Sequence, residues 1–239
     1  MGALALVAAL VLAVTPARIA ADERETLVVR VFDTIGLPDG EAATMLRIAG
    51  DTLAPAGIRI RWKRCLDTAL RHCAPQPGLD LIVRIVERHG AGGGGSCGYA
   101  MVDGDRGFVS LSRDCADRTV ASLERKWTPL ELEPLTGAEV LGYMLGHEIA
   151  HVLLPGSAHS SRGLFKARIN ARDWRVARRH GLRFSAVDVE RLREAGAALL
   201  AHRVATMPES KGPEDRPPDQ VIEETHPSKG PRQQACARR

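Results

Sequence analysis

The amino-acid sequence predicts an α+β fold, in which one sheet packs against several helices. Two observations carry this prediction. A strand, a helix and a second strand follow one another between residues 26 and 62, and such a crossover unit is typical of α/β and α+β sheets. A long apolar helix and further helical segments then follow between residues 136 and 198. In the 239-residue chain, 44% hydrophobic and 26% charged residues are ordinary values for a globular protein.

The N-terminus predicts a secretory signal peptide over residues 1–21. An apolar run over residues 3–14 is followed by small residues, which favours cleavage near Ala20 or Ala21. The run is shorter than the roughly 20 apolar residues of a membrane-spanning helix. No Lys or Arg precedes it, and the alternative is a buried or anchoring N-terminal helix. We therefore expect a secreted or periplasmic protein, with its domain over residues 22–206.

Three strands and one helix are predicted in the N-terminal part of that domain. β-Branched residues alternate along "TLVVRVFD" at residues 26–33, and Asp39 is the predicted N-cap of the helix that follows. Apolar residues recur at helical spacing until Pro55 ends the helix. Residues 58–62 and 80–88 have the alternation of strands and complete this part of the sheet.

The glycine-rich segment at residues 89–100 interrupts the regular pattern. No GKS/T sequence follows it, and no GxGxxG pattern there opens a helix after a strand, as phosphate-binding loops require. This favours a loop beside an active site or a plain linker. "GFVSLS" at residues 107–112 predicts a further strand. It is either the edge strand to which an extended peptide adds or an ordinary strand of the sheet.

The longest predicted helix begins at a capping box and ends at a Pro-Gly turn. Thr136 and Glu139 have the spacing of the box, and residues 155–156 mark the end. The segment over residues 172–198 predicts two further helical pieces, with a break near residues 181–185. These helices complete the predicted domain.

Five cysteines are spaced without a CxxC pair, which argues against a cysteine zinc site. In an oxidising compartment Cys65 and Cys73 can close a short loop, and Cys97 and Cys115 are the next candidate pair. Cys236 is then left over. The alternative is that all five are reduced and serve as small side chains.

The formal net charge of +4 and the pI of about 9.0 make the chain mildly basic. Residues 162–183 hold a basic run, which predicts either weak attraction to anionic envelope surfaces or a solvated helix face. The run consists of Arg162, Lys166, Arg168, Arg172, Arg175, Arg178, Arg179 and Arg183. Nothing in the sequence resembles a nucleic-acid-binding module. Residues 207–239 are rich in proline and charge, which predicts a disordered tail.

The chemistry is carried by "HEIAH" on the long helix. His147 and His151 lie four residues apart, so both imidazoles project from one helix face and can bind one ion. Zinc accepts neutral histidine nitrogens, and Glu148 can reach a zinc-activated water rather than the ion. The surrounding helix is apolar, so unpaired histidines and a glutamate would be costly to bury there. A helix with two structural histidines is the alternative.

A third histidine follows the Pro-Gly turn. "HEIAHVLLPGSAH" resembles the HExxHxxGxxH pattern of the metzincin group of zincin metallopeptidases, with two additional residues before Gly156. The resemblance implies that His147, His151 and His159 bind Zn²⁺ and that Glu148 is the general base. It also implies a mixed sheet with a long active-site helix and C-terminal helices.

The segment "HSSRGLFKA" at residues 159–167 looks like the stretch that follows the third histidine in matrixin-like metzincins and in exported bacterial zincins. In metzincins a methionine lies beneath the zinc, and its place falls on Phe165 here. If the Phe165 side chain forms the same apolar floor beneath the metal ligands as that methionine, hydrolysis is expected. If it distorts the floor, zinc binding with little turnover is expected.

Acidic residues are alternatives to His159 as the third ligand, as in thermolysin-like zincins. They are Glu131, Glu133, Glu139, Asp173, Asp188 and Glu190. Tyr99 and Tyr143 are the two tyrosines, and either could stabilise an oxyanion, although core packing is expected for Tyr143.

Together these features predict a secreted zinc-dependent metallopeptidase that hydrolyses peptide bonds of a peptide or protein substrate. A zinc-activated water attacks the carbonyl, and Glu148 takes its proton. One alternative is an exported zincin-fold protein that binds zinc with little or no peptidase activity. The other is a structural interaction module without a metal.

Overall fold

The structure is a computed structural model that describes residues 26–65, 73–74, 80–89, 96–125, 135–156 and 158–206. The strands are β1 (Thr26–Asp33), β2 (Arg59–Cys65), β3 (Asp80–Val86), β4 (Gly98–Asp103) and β5 (Arg106–Ser112). The helices are α1 (Asp39–Leu53), α2 (Arg113–Glu124), α3 (Gly137–Leu153), α4 (Ala171–His180) and α5 (Ala186–Thr206), and a 3-10 helix follows α1 at Ala54–Ala56. Among the helices of these ranges, none combines the length and the hydropathy of a membrane-spanning segment.

The five strands form one mixed sheet in the order β2-β1-β3-β5-β4. β1, β2, β3 and β5 run parallel, and β4 is antiparallel to β5 at the edge. Parallel neighbours need crossover connections, and α1 lies in the one between β1 and β2. The predicted α+β class, with a mixed sheet, a long helix and C-terminal helices, is confirmed.

One face of the sheet packs against α1 and α3. Alternate strand residues point to this face, among them Val29 on β1, Leu81 on β3 and Val109 on β5, and all three are fully buried. α3 lies close to α1 because Gly142 has no side chain: a Cβ there would lie 2.8 Å from the carbonyl oxygen of Met45. Most residues of α3, the apolar helix that carries the motif, are buried by this packing.

Two elements were not expected from the sequence. β4 overlaps the end of the segment predicted to be a loop at residues 89–100 and continues to Asp103, because pairing with β5 orders residues that carry no clear alternation themselves. α2 has the polar sequence "RDCADRTVASLE", and it is started by a hydrogen bond from Cys115 N to the Ser112 side chain at 3.3 Å. β5 consequently lies between β3 and β4, so the interpretation of residues 107–112 as an edge strand is wrong.

The start of α1 also differs from the prediction. Asp39, the predicted N-cap, is the first residue of the helix, and Pro38 occupies the cap without a side-chain hydrogen bond. The Asp39 carboxylate instead accepts a hydrogen bond from Arg64 Nη1 at 2.6 Å. As predicted, α1 ends shortly before Pro55 and residues 181–185 separate α4 from α5. In contrast, β2 continues to Cys65 instead of residue 62, and α5 continues to Thr206 instead of residue 198.

Both predicted disulfides are present. Cys65–Cys73 links the end of β2 to the segment before β3, and Cys97–Cys115 links the start of β4 to α2. Cys236 lies outside the described residues, as do the predicted signal peptide and C-terminal tail.

A buried ion pair joins β1 to β3. The Arg30 guanidinium donates through Nε to Asp80 Oδ1 at 2.8 Å and through Nη2 to the second carboxylate oxygen. Its Nη1 donates to the carbonyl oxygen of Cys73 at 2.8 Å, which ties the first disulfide loop to the sheet. A buried charge of this kind is tolerated only while its partner is present.

We expect Asp80→Asn to lower the free energy of unfolding by about 3–5 kcal/mol, because it leaves the Arg30 charge buried without a counter-ion. Asp51→Asn removes the exposed pair between Arg47 and Asp51 and should cost no more than about 1 kcal/mol. Urea unfolding of both variants with the disulfides intact measures the two losses. Equal losses would contradict the importance of burial at Asp80.

Candidate metal centre

The candidate site is built on the C-terminal half of α3. The helix starts at the predicted capping box, in which Thr136 Oγ1 accepts from Glu139 N at 3.2 Å and Glu139 Oε2 accepts from Thr136 N at 2.7 Å. Apolar residues hold α3 against the sheet and α1, so the polar residues of the motif project on the remaining side. Gly156, with a φ of +72°, turns the chain just after the helix and directs His159 back toward it.

Three histidine rings meet at the end of α3, as the sequence predicts. His151 Nε2 lies 3.1 Å from His147 Nε2 and 3.0 Å from His159 Nε2. The three candidate ligand atoms lie within 4.8 Å of one another, and the described part of the chain holds no second such cluster of His, Cys, Asp or Glu. Nitrogen ligands at about 2.0–2.1 Å from a tetrahedral zinc ion are separated by about 3.3 Å, so the spacing suits one ion.

Hydrogen bonding and burial leave two of these imidazoles in the form that binds metals. His147 Nδ1 donates to the carbonyl oxygen of Leu164 at 2.8 Å, so its Nε2 carries the lone pair. Burial lowers the pKa of His147. Burial, with a smaller effect from the neighbouring His147 and His159, lowers the pKa of His151 to about 4. Both rings are therefore uncharged at neutral pH, as metal ligands must be.

Phe165 forms the floor beneath the three imidazoles. Its ring is fully buried, and its centroid lies 5.4, 4.6 and 5.7 Å from the ring centroids of His147, His151 and His159. A hydrogen bond from Ser160 N to Phe165 O at 2.8 Å holds the backbone around it. The aromatic ring thus fills the apolar floor and leaves the three nitrogens converging.

A buried carboxylate anchors the segment that carries His159. Asp188 on α5 is fully buried and accepts hydrogen bonds from Ser160 Oγ at 2.5 Å and from Ser185 Oγ at 2.6 Å. Because Ser160 directly follows His159, the first bond fixes the position of this histidine. Sequence reasoning missed this support: the spacing of Ser185 and Asp188 signals a helix start, but nothing local signals a partner 28 residues away.

Glu148 faces the same cavity from beside the histidines. Burial raises the pKa of its carboxyl to about 7. The backbone of Gly98 at the start of β4 packs directly against it, since a Cβ at residue 98 would lie 2.8 Å from Glu148 Cγ. The Cys97–Cys115 disulfide holds this end of β4 in place. Sequence reasoning missed Gly98, because one glycine in a glycine-rich segment carries no signal of contact with a distant helix.

A cavity of about 710 Å³ opens over these residues. Its lining includes all three histidines and Glu148, with β4 on one wall and side chains from residues 166–174 on another. The volume lies within the range of ligand-binding sites in proteins. The cavity can therefore hold part of a substrate directly beside the candidate metal ligands.

The acidic alternatives to His159 have other partners. The described ones are Glu139, Asp173, Asp188 and Glu190, whose partners are Thr136, Lys166, Ser160 and Arg193 respectively. None of these four joins the histidine cluster. Glu131 and Glu133 lie outside the described residues.

The two tyrosines occupy different environments. Tyr143 is buried, and its hydroxyl donates to the carbonyl oxygen of Ala177 at 3.4 Å, in agreement with the predicted core packing. Tyr99 lies on β4 and is 38% exposed. Because side chains alternate along a strand, Tyr99 points away from the face on which Gly98 meets Glu148. Neither side chain is therefore directed at Glu148.

Comparison with known proteins does not assign a family. No protein-family model matches the sequence, and no curated protein matches it. Among solved structures, the chain is similar to archaemetzincin from Methanopyrus kandleri, with a TM-score of 0.42 and 16% sequence identity, covering 72% of this chain and 96% of that chain. A likeness at this level does not establish a function, which has to follow from the site itself.

We expect Phe165→Ala to weaken zinc binding by about tenfold or more, because it removes the ring that supports all three imidazoles. Phe165→Met keeps a large apolar side chain and should retain most of the affinity. Competition with a chelator measures the affinity, and urea unfolding of the metal-free proteins shows whether the fold survives. Wild-type affinity in a folded Phe165→Ala protein would show that the floor does not position the histidines.

Proposed function

We propose that this protein is a secreted zinc-dependent peptidase that hydrolyses peptide bonds. The observation that carries the proposal is the convergence of three imidazoles and one buried carboxylate on a single cavity. The two disulfides suit an oxidising compartment, which supports the prediction of export from the N-terminal sequence.

His147, His151 and His159 would hold the zinc ion through their Nε2 atoms. Three protein ligands leave one position open, which is typical of catalytic rather than structural zinc sites. A bound zinc ion supplies the Lewis acidity that activates water and polarises the carbonyl of the substrate. The hydrogen bond from His147 to Leu164 and the ring of Phe165 hold the imidazoles in the orientation that binding needs.

Glu148 would act as the general base. Its carboxyl lies in the cavity beside the histidines, within one residue of His147 along the helix. A pKa raised to about 7 suits a group that takes a proton from water and then releases it to the leaving amine near neutral pH. The adjacent backbone of Gly98 restricts the positions that this carboxylate can adopt.

The edge strand β4 is the element best placed to bind an extended peptide. It lines the cavity, and β5 is its one strand neighbour in the described sheet. A peptide can add to such an edge through main-chain hydrogen bonds. The binding role considered for residues 107–112 is therefore proposed for residues 98–103, of which Gly98 lies next to Glu148.

The two alternatives explain less of the geometry. A zinc-binding protein with little turnover is expected if Phe165 distorts the floor, whereas its ring packs beneath all three histidines. A structural module without a metal gives no reason to bury His147 and Glu148 side by side, which is costly. Peptide hydrolysis separates the enzyme from a zinc-binding protein, because both contain metal.

We expect Glu148→Gln to keep zinc and to lower peptide hydrolysis by about 10²–10⁴-fold, because an amide cannot accept the proton. His147→Ala should lose both zinc and activity, because it removes one of three ligands. Zinc per chain is measured on protein without a His tag, and hydrolysis on an unbiased peptide library. Full activity in the Glu148→Gln protein would exclude this mechanism.

We expect Gly98→Ala to lower kcat by about tenfold or more without loss of zinc, because its methyl group would displace the Glu148 carboxylate. Gly40→Ala on α1 is the matched control: a Cβ there meets no neighbouring atom within 4 Å, so kcat should not change. Zinc content and kcat are measured for both variants. A wild-type kcat in the Gly98→Ala protein would mean that contact with β4 does not position Glu148.

A further inference from the structure

We infer that the cavity selects substrates with an acidic side chain next to the bond that is cut, and that Lys166 recognises this side chain. The inference rests on the proposed peptidase function and adds a substrate class to it. Three observations carry it: the position of Lys166, its hydrogen bonding, and the charge of the wall around it.

Lys166 lies on the cavity wall immediately beyond the floor of the metal centre. It follows Phe165 in the chain, and a bridge between Ser160 and Lys166 fixes its backbone beside the segment that carries His159. Lys166 and Glu148 line the same cavity. A substrate bond placed at Glu148 therefore brings a neighbouring side chain of the peptide toward Lys166.

The amine of Lys166 is held in place but is not saturated. Nζ donates to Asp173 Oδ2 at 2.5 Å, and the side chains of this pair are only 19% and 20% exposed. Asp173 Oδ2 also accepts from Asn170 N at 2.9 Å, at the start of α4. An ammonium group has three N–H donors, so Lys166 can bind a second carboxylate while Asp173 keeps its position.

Apolar side chains accompany this cation on the cavity wall. Met144, Ile169 and Trp174 line the same cavity, and Trp174 is buried. They can pack against the methylene groups of a substrate side chain and exclude water from its end. A carboxylate there would meet Lys166 at a lower dielectric than in solvent, where a charge-assisted hydrogen bond contributes more.

The segment that forms this wall is strongly basic. Residues 162–183 contain eight Lys and Arg side chains and one carboxylate, that of Asp173. Among the described residues that line the cavity, Glu148 is the one with an acidic side chain, and it is the proposed general base. Of these eight basic side chains, Lys166 is the one among the described lining residues, so it is the cation that a bound anionic peptide meets in the cavity.

Matched peptides test this recognition. An unbiased library first locates a cleaved bond, and peptides with Glu, Gln, Leu or Lys on either side of that bond are then compared. We expect kcat/KM to be about tenfold higher with Glu than with Gln, and lowest with Lys. Lys166→Met should bring the Glu-to-Gln ratio to about one. Arg168→Met removes the same charge from an exposed position in the same segment and should leave the ratio unchanged.

We expect Asp173→Asn to change the Glu-to-Gln ratio of kcat/KM in the direction opposite to Lys166→Met. It keeps an oxygen to cap α4 but removes the carboxylate that competes for the Lys166 amine. The Glu-to-Gln ratio should therefore rise above that of the wild-type protein. A ratio that stays the same or falls in a folded Asp173→Asn protein counts against recognition by Lys166.

Binding to the Glu148→Gln protein separates this inference from the proposed function. Fluorescence anisotropy measures recognition without hydrolysis. It uses labelled peptides of one fixed sequence that differ only in carrying Glu, Gln, Leu or Lys at one position, so that no cleaved bond has to be known. If the wild-type protein cleaves no peptide, the peptidase proposal fails, while a Glu-over-Gln preference in binding that Lys166→Met abolishes still supports acidic recognition. Three results overturn the inference. The first is a preference for Leu over Glu, and the second is a Glu-to-Gln ratio that Lys166→Met leaves unchanged. The third is a fall in this ratio that is as large in Arg168→Met as in Lys166→Met.

Discussion

The packing of α3 against the sheet and α1 is the constraint on which the candidate site depends. Apolar side chains of this helix fill the core, so its orientation is set by burial and the motif residues project on the side that remains. His147, Glu148 and His151 therefore take their directions from a rigid backbone. A ligand set on a helix is held more accurately than one on loops, which matters for a site that needs converging nitrogens.

Of the three histidines, His159 comes from a segment without regular structure, and the fold supports this segment in several ways. The turn at Gly156 returns the chain, Asp188 binds the Ser160 hydroxyl, and Phe165 packs beneath the rings. A buried carboxylate is costly unless its oxygens are hydrogen-bonded, and here Oδ1 of Asp188 binds Ser160 beside the site while Oδ2 binds Ser185 at the start of α5. Polar burial that would weaken an ordinary core thus defines the geometry of the metal centre.

Periodicity and short motifs predicted much of the fold. The bounds of β1, the capping box at the start of α3 and both disulfide pairs agree with the sequence prediction. α2 was not predicted because its apolar positions Ala116, Val120 and Leu123 are few among polar residues. β4 was not predicted because its order comes from pairing with β5. At Asp39, the partner Arg64 lies 25 residues away, and no local pattern signals it.

The sequence by itself determined the chemistry available at the site: two histidines and a glutamate on one apolar helix, a Pro-Gly exit and a third histidine beyond it. Only the tertiary structure decided that His159, and none of the described acidic alternatives, joins the cluster, that Phe165 lies beneath it, and that the edge strand is β4. The physical reason is the separation along the sequence of the residues that interact. Helix periodicity, capping and turn formation depend on residues a few positions apart, whereas these outcomes depend on how distant helices and strands pack together.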